Sequence, residues 1–159
     1  MRFVVITGLS GAGKTSAHFA LEDLGYFSVD NLPPALWPAL LETLQQAGIG
    51  KAAVVVDIRT RKFLDHLGPT LAQLKPFVVF LEARPDVLLK RYNLSRRLHP
   101  LGTGNLLSEI EAEKKALAPL RDQADLVIDT SDKSARELKE TLEQALGEEE
   151  GFVLRLLSF

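Results

Sequence analysis

The sequence predicts an α/β fold, a five-stranded parallel sheet with helices on both faces. Three observations predict it. Short apolar runs alternate with helical stretches five times along the chain, the pattern of a doubly wound sheet. The runs Ala52-Ala53-Val54-Val55-Val56 and Phe77-Val78-Val79-Phe80-Leu81 are apolar without alternation, as parallel strands covered on both faces are. Finally, Gly8-Leu9-Ser10-Gly11-Ala12-Gly13-Lys14-Thr15 fits G-x-x-x-x-G-K-[ST], the P-loop, between a β-branched run and a helix. The predicted class is therefore a P-loop NTPase fold, nucleotide-kinase-like.

Each element has a local reason. Residues 2–7 form the first strand, and 14–24 the first helix, with Ala17, Phe19, Ala20 and Leu24 available to face the sheet. Gly25 ends that helix. A short strand at 26–29 runs into Asp30-Asn31-Leu32-Pro33-Pro34, where Asp and Asn bond locally and the prolines stop the strand. Residues 35–47 form a helix closed by Gly48, and 52–57 the third strand. A helical stretch follows at 61–74, with a candidate break at Gly68-Pro69, then a buried strand at 76–81. Pro85 opens a helix to about residue 97, and 98–105 read as a loop. A helix at 107–121, a strand at 126–128 and a helix at 133–146 complete the domain, which spans 1–150. Leu138, Leu142, Ala145 and Leu146 share one face of the last helix. Residues 151–159 read as an apolar, strand-like tail, either a sheet-edge strand or the start of a further C-terminal domain.

Composition excludes several classes. At 159 residues, 46% hydrophobic and 25% charged, the chain reads as one soluble domain. With no cysteine, a disulfide framework, a thiol nucleophile and a thiolate metal site are all excluded. No apolar run approaches the ~18 residues of a membrane span. Met1-Arg2-Phe3 leads straight into a strand without a visible signal peptide, so a cytoplasmic location and no membrane partner are expected. Net charge is −2, but basic residues gather at Arg59, Arg61, Lys62, Arg84, Lys90, Arg91, Arg96 and Arg97, while acidic ones dominate from Glu109 onward. The basic half holds the phosphate loop, where a polyanionic ligand would need it.

The loop's chemistry follows from its residue types. Gly8, Gly11 and Gly13 let the backbone curl around an anion, and the helix starting near Lys14 adds its positive dipole end. Lys14 would reach the β- and γ-phosphates, and the Thr15 hydroxyl would ligate Mg²⁺. A second carboxylate for Mg²⁺ is either Asp57, at the end of the most hydrophobic strand, or Asp30. The competing readings are a helix N-cap for Asp57 and an Asx turn for Asp30. Arg59 and Thr60 either contact the nucleotide or lie in a solvated loop. Arg96 and Arg97, beside His99 and Pro100, read as a lid bringing an arginine to the γ-phosphate, or as surface charge. Asp129-Thr130-Ser131 either reads the base or caps the next helix. His18 and His66 read as structural.

Several stretches together resemble one known family. They are Gly8 to Lys14, Gly25-Tyr26-Phe27, Val29-Asp30-Asn31-Leu32-Pro33, Val56-Asp57-Ile58-Arg59, Arg96-Arg97 with His99-Pro100-Leu101, and Ala124-Asp125-Leu126-Val127-Ile128-Asp129-Thr130-Ser131. They resemble the RapZ family of bacterial P-loop nucleotide-binding proteins, some of which act as RNase adapters. The resemblance implies binding and slow hydrolysis of ATP and GTP. It places ATP phosphates on residues 8–15 and a GTP site on Asp57, Ile58, Arg59 and Thr60. Family members run to about twice this length, with RNA or ribonuclease contact through a C-terminal domain, whose start Leu157-Ser158-Phe159 resembles. The P-loop carries Thr15 where Ser is usual in the family, which keeps the hydroxyl, and 93–98 is less charged than its family counterpart.

Two functions compete, since the acidic half and the few exposed-looking aromatics argue against a third, a pure RNA-binding module. One is a nucleotide-dependent regulator with weak ATPase and GTPase activity, using Lys14, Asp57, Arg96 and Arg97, and open to homo-oligomerisation. The other is a small-molecule kinase using ATP. Asp30-Asn31-Leu32-Pro33-Pro34 is stiff and apolar, a poor bed for a polar phosphoryl acceptor, which favours the first.

Overall fold

The structure is a computed structural model that describes residues 1–57, 61–95 and 106–157. Ile58, Arg59, Thr60, Arg96, Arg97 and His99 lie outside the described residues.

The elements follow in the order β1 (Arg2–Gly8), α1 (Lys14–Asp23), β2 (Phe27–Asp30), a 3₁₀ turn (Pro34–Leu36), α2 (Trp37–Gln46), β3 (Lys51–Val55), α3 (Arg61–Leu74), β4 (Phe77–Glu82), α4 (Pro85–Ser95), α5 (Leu106–Gln123), β5 (Leu126–Asp129) and α6 (Ala135–Leu157). The strands form one sheet in the order β2-β3-β1-β4-β5. Every pairing is parallel, with Ile6 opposite Val55 and Val79, and Leu81 opposite Ile128. The right-handed rule for parallel crossovers puts α1 on one face, and the helices of connections running the other way, α2 to α5, on the opposite face. α6 packs against α1. Val4, Val5, Ile6, Val54 and Val79 are fully buried, because strands β1, β3 and β4 are covered on both sides. Trp37 anchors the start of α2: it is fully buried, meets Phe3 edge to face, and its indole N–H donates to the Leu32 carbonyl at 2.9 Å.

Three expectations need correction. Phe19 is 59% exposed; α1 buries Ala17 and Ala20 as expected, with Leu21 in place of Phe19. Phe19 sits two residues beyond Ala17, about 200° round the helix. There is no break at Gly68-Pro69, since α3 runs through Pro69. Asp65 and Pro69 are both exposed, so the carbonyl that loses its i+4 donor can turn to water. Residues 151–157 extend α6 rather than forming a strand, and the sheet has no strand from them. Once a long helix is nucleated, each further residue adds a hydrogen bond at low cost, which outweighs the β preference of Phe152 and Val153.

The order reverses at β1: one crossover leaves it toward β2, and another returns over it to β4. The carboxyl ends of β1, β3 and β4 therefore open onto a crevice, the position where open α/β sheets bind ligands.

Candidate functional site

The loop leaves β1 at Gly8, whose φ is 147°. A Cβ there would lie 2.1 Å from the Leu81 carbonyl oxygen, so only glycine lets the loop pass β4. Leu9 and Ala12 are buried and fix the loop from inside. The Leu9 N–H donates to Leu81 O at 3.0 Å, and the Ala12 N–H to Leu9 O at 3.1 Å. Gly11 and Gly13 take φ values of 81° and 106°. Gly13 is the N-cap of α1, with no side-chain cap and no acidic residue in the first turn. The opening amides of α1 are thus left for an acceptor from outside, beside the positive end of the helix dipole. Thr15 is exposed on that first turn.

Lys14 is folded inward. Its ammonium donates to Gly8 O at 3.0 Å and Leu9 O at 3.2 Å, and lies 3.4 Å from Asp57 Oδ1. Those three partners match its three protons. Asp57 is held at the end of β3 by the Val56 N–H bond to Ile6 O at 2.8 Å, and its own N–H donates to Asn31 Oδ1 at 3.3 Å. The structure therefore brings Lys14 and Asp57 together. Asp30 is exposed at the end of β2, and its neighbour Asn31, with a φ of 60°, makes the link to Asp57. Thr15 and Asp57 offer hard oxygen donors, a set that fits Mg²⁺, which takes one or two protein oxygens beside phosphate and water. Among the described residues there is no cluster of three or more His, Cys, Asp or Glu for an all-protein metal site.

Thr130, at the end of β5, ties that strand to the loop. Its hydroxyl donates to Ala12 O at 2.6 Å and accepts from Arg91 at 3.1 Å. The Arg91 guanidinium also donates to Gly11 O at 2.9 Å and Thr130 O at 2.7 Å. Beside them opens a cleft of about 280 Å³ lined by Gly11, Gly13, Ser16, Arg91, Thr130, Lys133, Ser134 and Leu138. Arg84, by contrast, pairs with Asp132 and Asp86 at the surface. The cap of α6 falls to Ser134, whose hydroxyl accepts the Glu137 N–H at 3.1 Å while Glu137 accepts the Ser134 N–H at 3.3 Å. Asp129 and Ser131 are left to shape the preceding turn. His18 bridges Ser28 at 2.7 Å and Glu22 at 2.8 Å, joining α1 to β2.

One residue at the loop escaped the sequence reading. Glu113, on α5, accepts the Ser10 N–H at 2.8 Å and the Ser10 hydroxyl at 2.6 Å. Nothing in the local pattern of α5 distinguishes it from the neighbouring glutamates. Arg91 was visible only as one of several arginines.

This loop, this sheet order and this crevice define a P-loop α/β domain of the nucleotide-kinase type. Solved structures share the fold. A shikimate kinase from Bacteroides thetaiotaomicron superimposes with a TM-score of 0.63 at 17% identity, covering 92% of this chain and 98% of its own. A gluconokinase from Sinorhizobium meliloti gives 0.58 at 19%, covering 97% of each. A family model described as the RapZ-like N-terminal domain matches residues 1–150, and the chain belongs to that family. A nucleotide-binding protein of Thermus thermophilus is 61% identical over 159 residues, and one of Deinococcus radiodurans 49% over 164. Each match takes in 100% of this chain, which spans 58% of the length of either relative. No helix among the described residues is long and apolar enough to cross a membrane.

Proposed function

We propose that this chain binds a nucleoside triphosphate, ATP or GTP, with Mg²⁺, hydrolyses it slowly, and passes the bound state to an RNA-related function carried by the rest of the protein. One observation carries the reading: an uncapped helix N-terminus meets two left-handed glycines and the Lys14–Asp57 pair at the sheet's switch point. The names of the relatives support its nucleotide-binding part. The phosphates lie over residues 8–15, and the base enters the cleft beside Arg91 and Thr130. Lys14 swings from the Gly8 and Leu9 carbonyls to the phosphates, and with the loop amides stabilises charge on the γ-phosphoryl group while water attacks. Thr15 and Asp57 hold Mg²⁺, which when bound neutralises phosphate oxygens. Ile58, Arg59 and Thr60 extend the nucleotide contact, and Arg96 and Arg97 add charge from the lid. No glutamine follows Asp57 to position water, so turnover is slow. RNA or ribonuclease contact, self-association and a cytoplasmic setting complete the proposal for the longer protein.

The competing reading, a small-molecule kinase, draws on the fold shared with shikimate kinase and gluconokinase. ATP and GTP consumption with Mg²⁺, with and without a pooled metabolite extract, separates the two. Slow, extract-independent hydrolysis lost in Lys14→Ala supports the regulator. Consumption that rises with extract and yields a phosphorylated metabolite overturns it.

A further inference from the structure

An anion nest works by offering backbone N–H groups to a ligand. At the third residue of this loop the offer is already taken, by the chain itself. The Glu113 carboxylate grips Ser10 with both oxygens, one on the N–H and one on the hydroxyl. Charge-assisted pairs of this length are among the stronger hydrogen bonds. Lys14 is satisfied at the same time by Gly8, Leu9 and Asp57. The loop therefore holds an internal anion at one end and a parked cation at the other.

Position decides which phosphate meets Glu113. The cleft beside the loop is lined by Gly11, Gly13 and Ser16, but not by Ser10. A nucleotide with its base in that cleft lays its inner phosphates on the amides at the start of α1. Its terminal phosphate then lies farthest from the cleft, toward Ser10. A diphosphate can bind with the Glu113–Ser10 contact intact. A triphosphate brings a second anion to donors a carboxylate already holds, and it must displace that carboxylate or suffer its repulsion. Glu113 sits on α5, so its displacement removes this tie between that helix and the loop.

We propose that Glu113 is the residue that distinguishes nucleoside diphosphate from triphosphate, by competing with the terminal phosphate for Ser10. The proposal rests on the nucleotide reading above. Its test is calorimetric titration of the chain with Mg-ADP and with a non-hydrolysable Mg-ATP analogue, in wild type, Glu113→Gln and Lys14→Ala. Wild type should bind the triphosphate no more than about threefold tighter than the diphosphate, and Glu113→Gln should tighten the triphosphate alone by about tenfold. Glu113→Asp, too short to span both Ser10 donors, should move the same way and serves if the glutamine variant does not fold. An equal change for both nucleotides, or weaker triphosphate binding in the variants, overturns the role of Glu113 and leaves the nucleotide reading standing. Failure of wild type to bind either nucleotide overturns both.

Discussion

A methyl group at position 8 would collide with the backbone of β4, 2.1 Å from Leu81 O and 2.7 Å from Leu81 N. No rotamer relieves a clash with backbone atoms, and the φ of 147° is itself unfavourable for alanine. Gly8→Ala should therefore cost about 3 kcal/mol or more. That corresponds to a melting-temperature drop on the order of 10 °C in a chain of this size. An unchanged melting temperature would mean that the loop does not press against β4. At this scale the loop was legible because its chemistry is consecutive: eight residues in a row carry the turn, the charge and the hydroxyl. Glu113 was not legible, because 103 residues separate it from Ser10 and only the packed fold brings them together. Arg91 was half legible. Its charge stood out, but two of its three partners are the carbonyls of Gly11 and Thr130, which every residue type possesses, and the third is the Thr130 hydroxyl, 39 residues away.

Among the elements, α6 has the clearest local instructions. Ser134 and Glu137 form a reciprocal cap, and Leu138, Leu142 and Leu146 bury one stripe. Ser134→Ala removes an acceptor for the opening turn and should cost about 1 kcal/mol. Thermal unfolding should show a fall of about 3 °C, and no fall would mean that water replaces the cap without loss. The turn before α6 carries a pH dependence. Hydrogen bonds from the Ser131 hydroxyl and N–H hold the Asp129 carboxyl below the ordinary aspartate range, aided by Arg84 and Arg91 and opposed by burial. A lowered folded-state pKa stabilises the fold above the unfolded value, near about pH 4, and the contribution is lost as pH falls through the folded value. Asp129→Asn should thus melt slightly below wild type at neutral pH and merge with it in acid. A gap that persists in acid would contradict this. The sequence placed the helices well where caps and glycines marked them. It misjudged Pro69 and residues 151–157, where a continuous helix overrode local breakers and β formers.

For the molecule as a whole, the all-parallel sheet was legible because residues 52–56 and 77–81, which supply most of β3 and β4, are unbroken apolar runs, the pattern that burial on both faces produces. The strand order was not, since five parallel strands admit several orders and no residue pattern here selects among them. That order, β2-β3-β1-β4-β5, makes the site. It sets Asp57 from β3 and the Leu81 backbone from β4 on either side of a loop that springs from β1. The central claim is that this arrangement grips a nucleotide through Lys14. The most direct test is equilibrium binding of Mg-ATP and Mg-GTP to wild type and Lys14→Ala, with folding of the variant checked by thermal unfolding. The account predicts saturable binding by wild type and a loss of at least about tenfold in a variant that still folds. Equal affinity in the two proteins would contradict it.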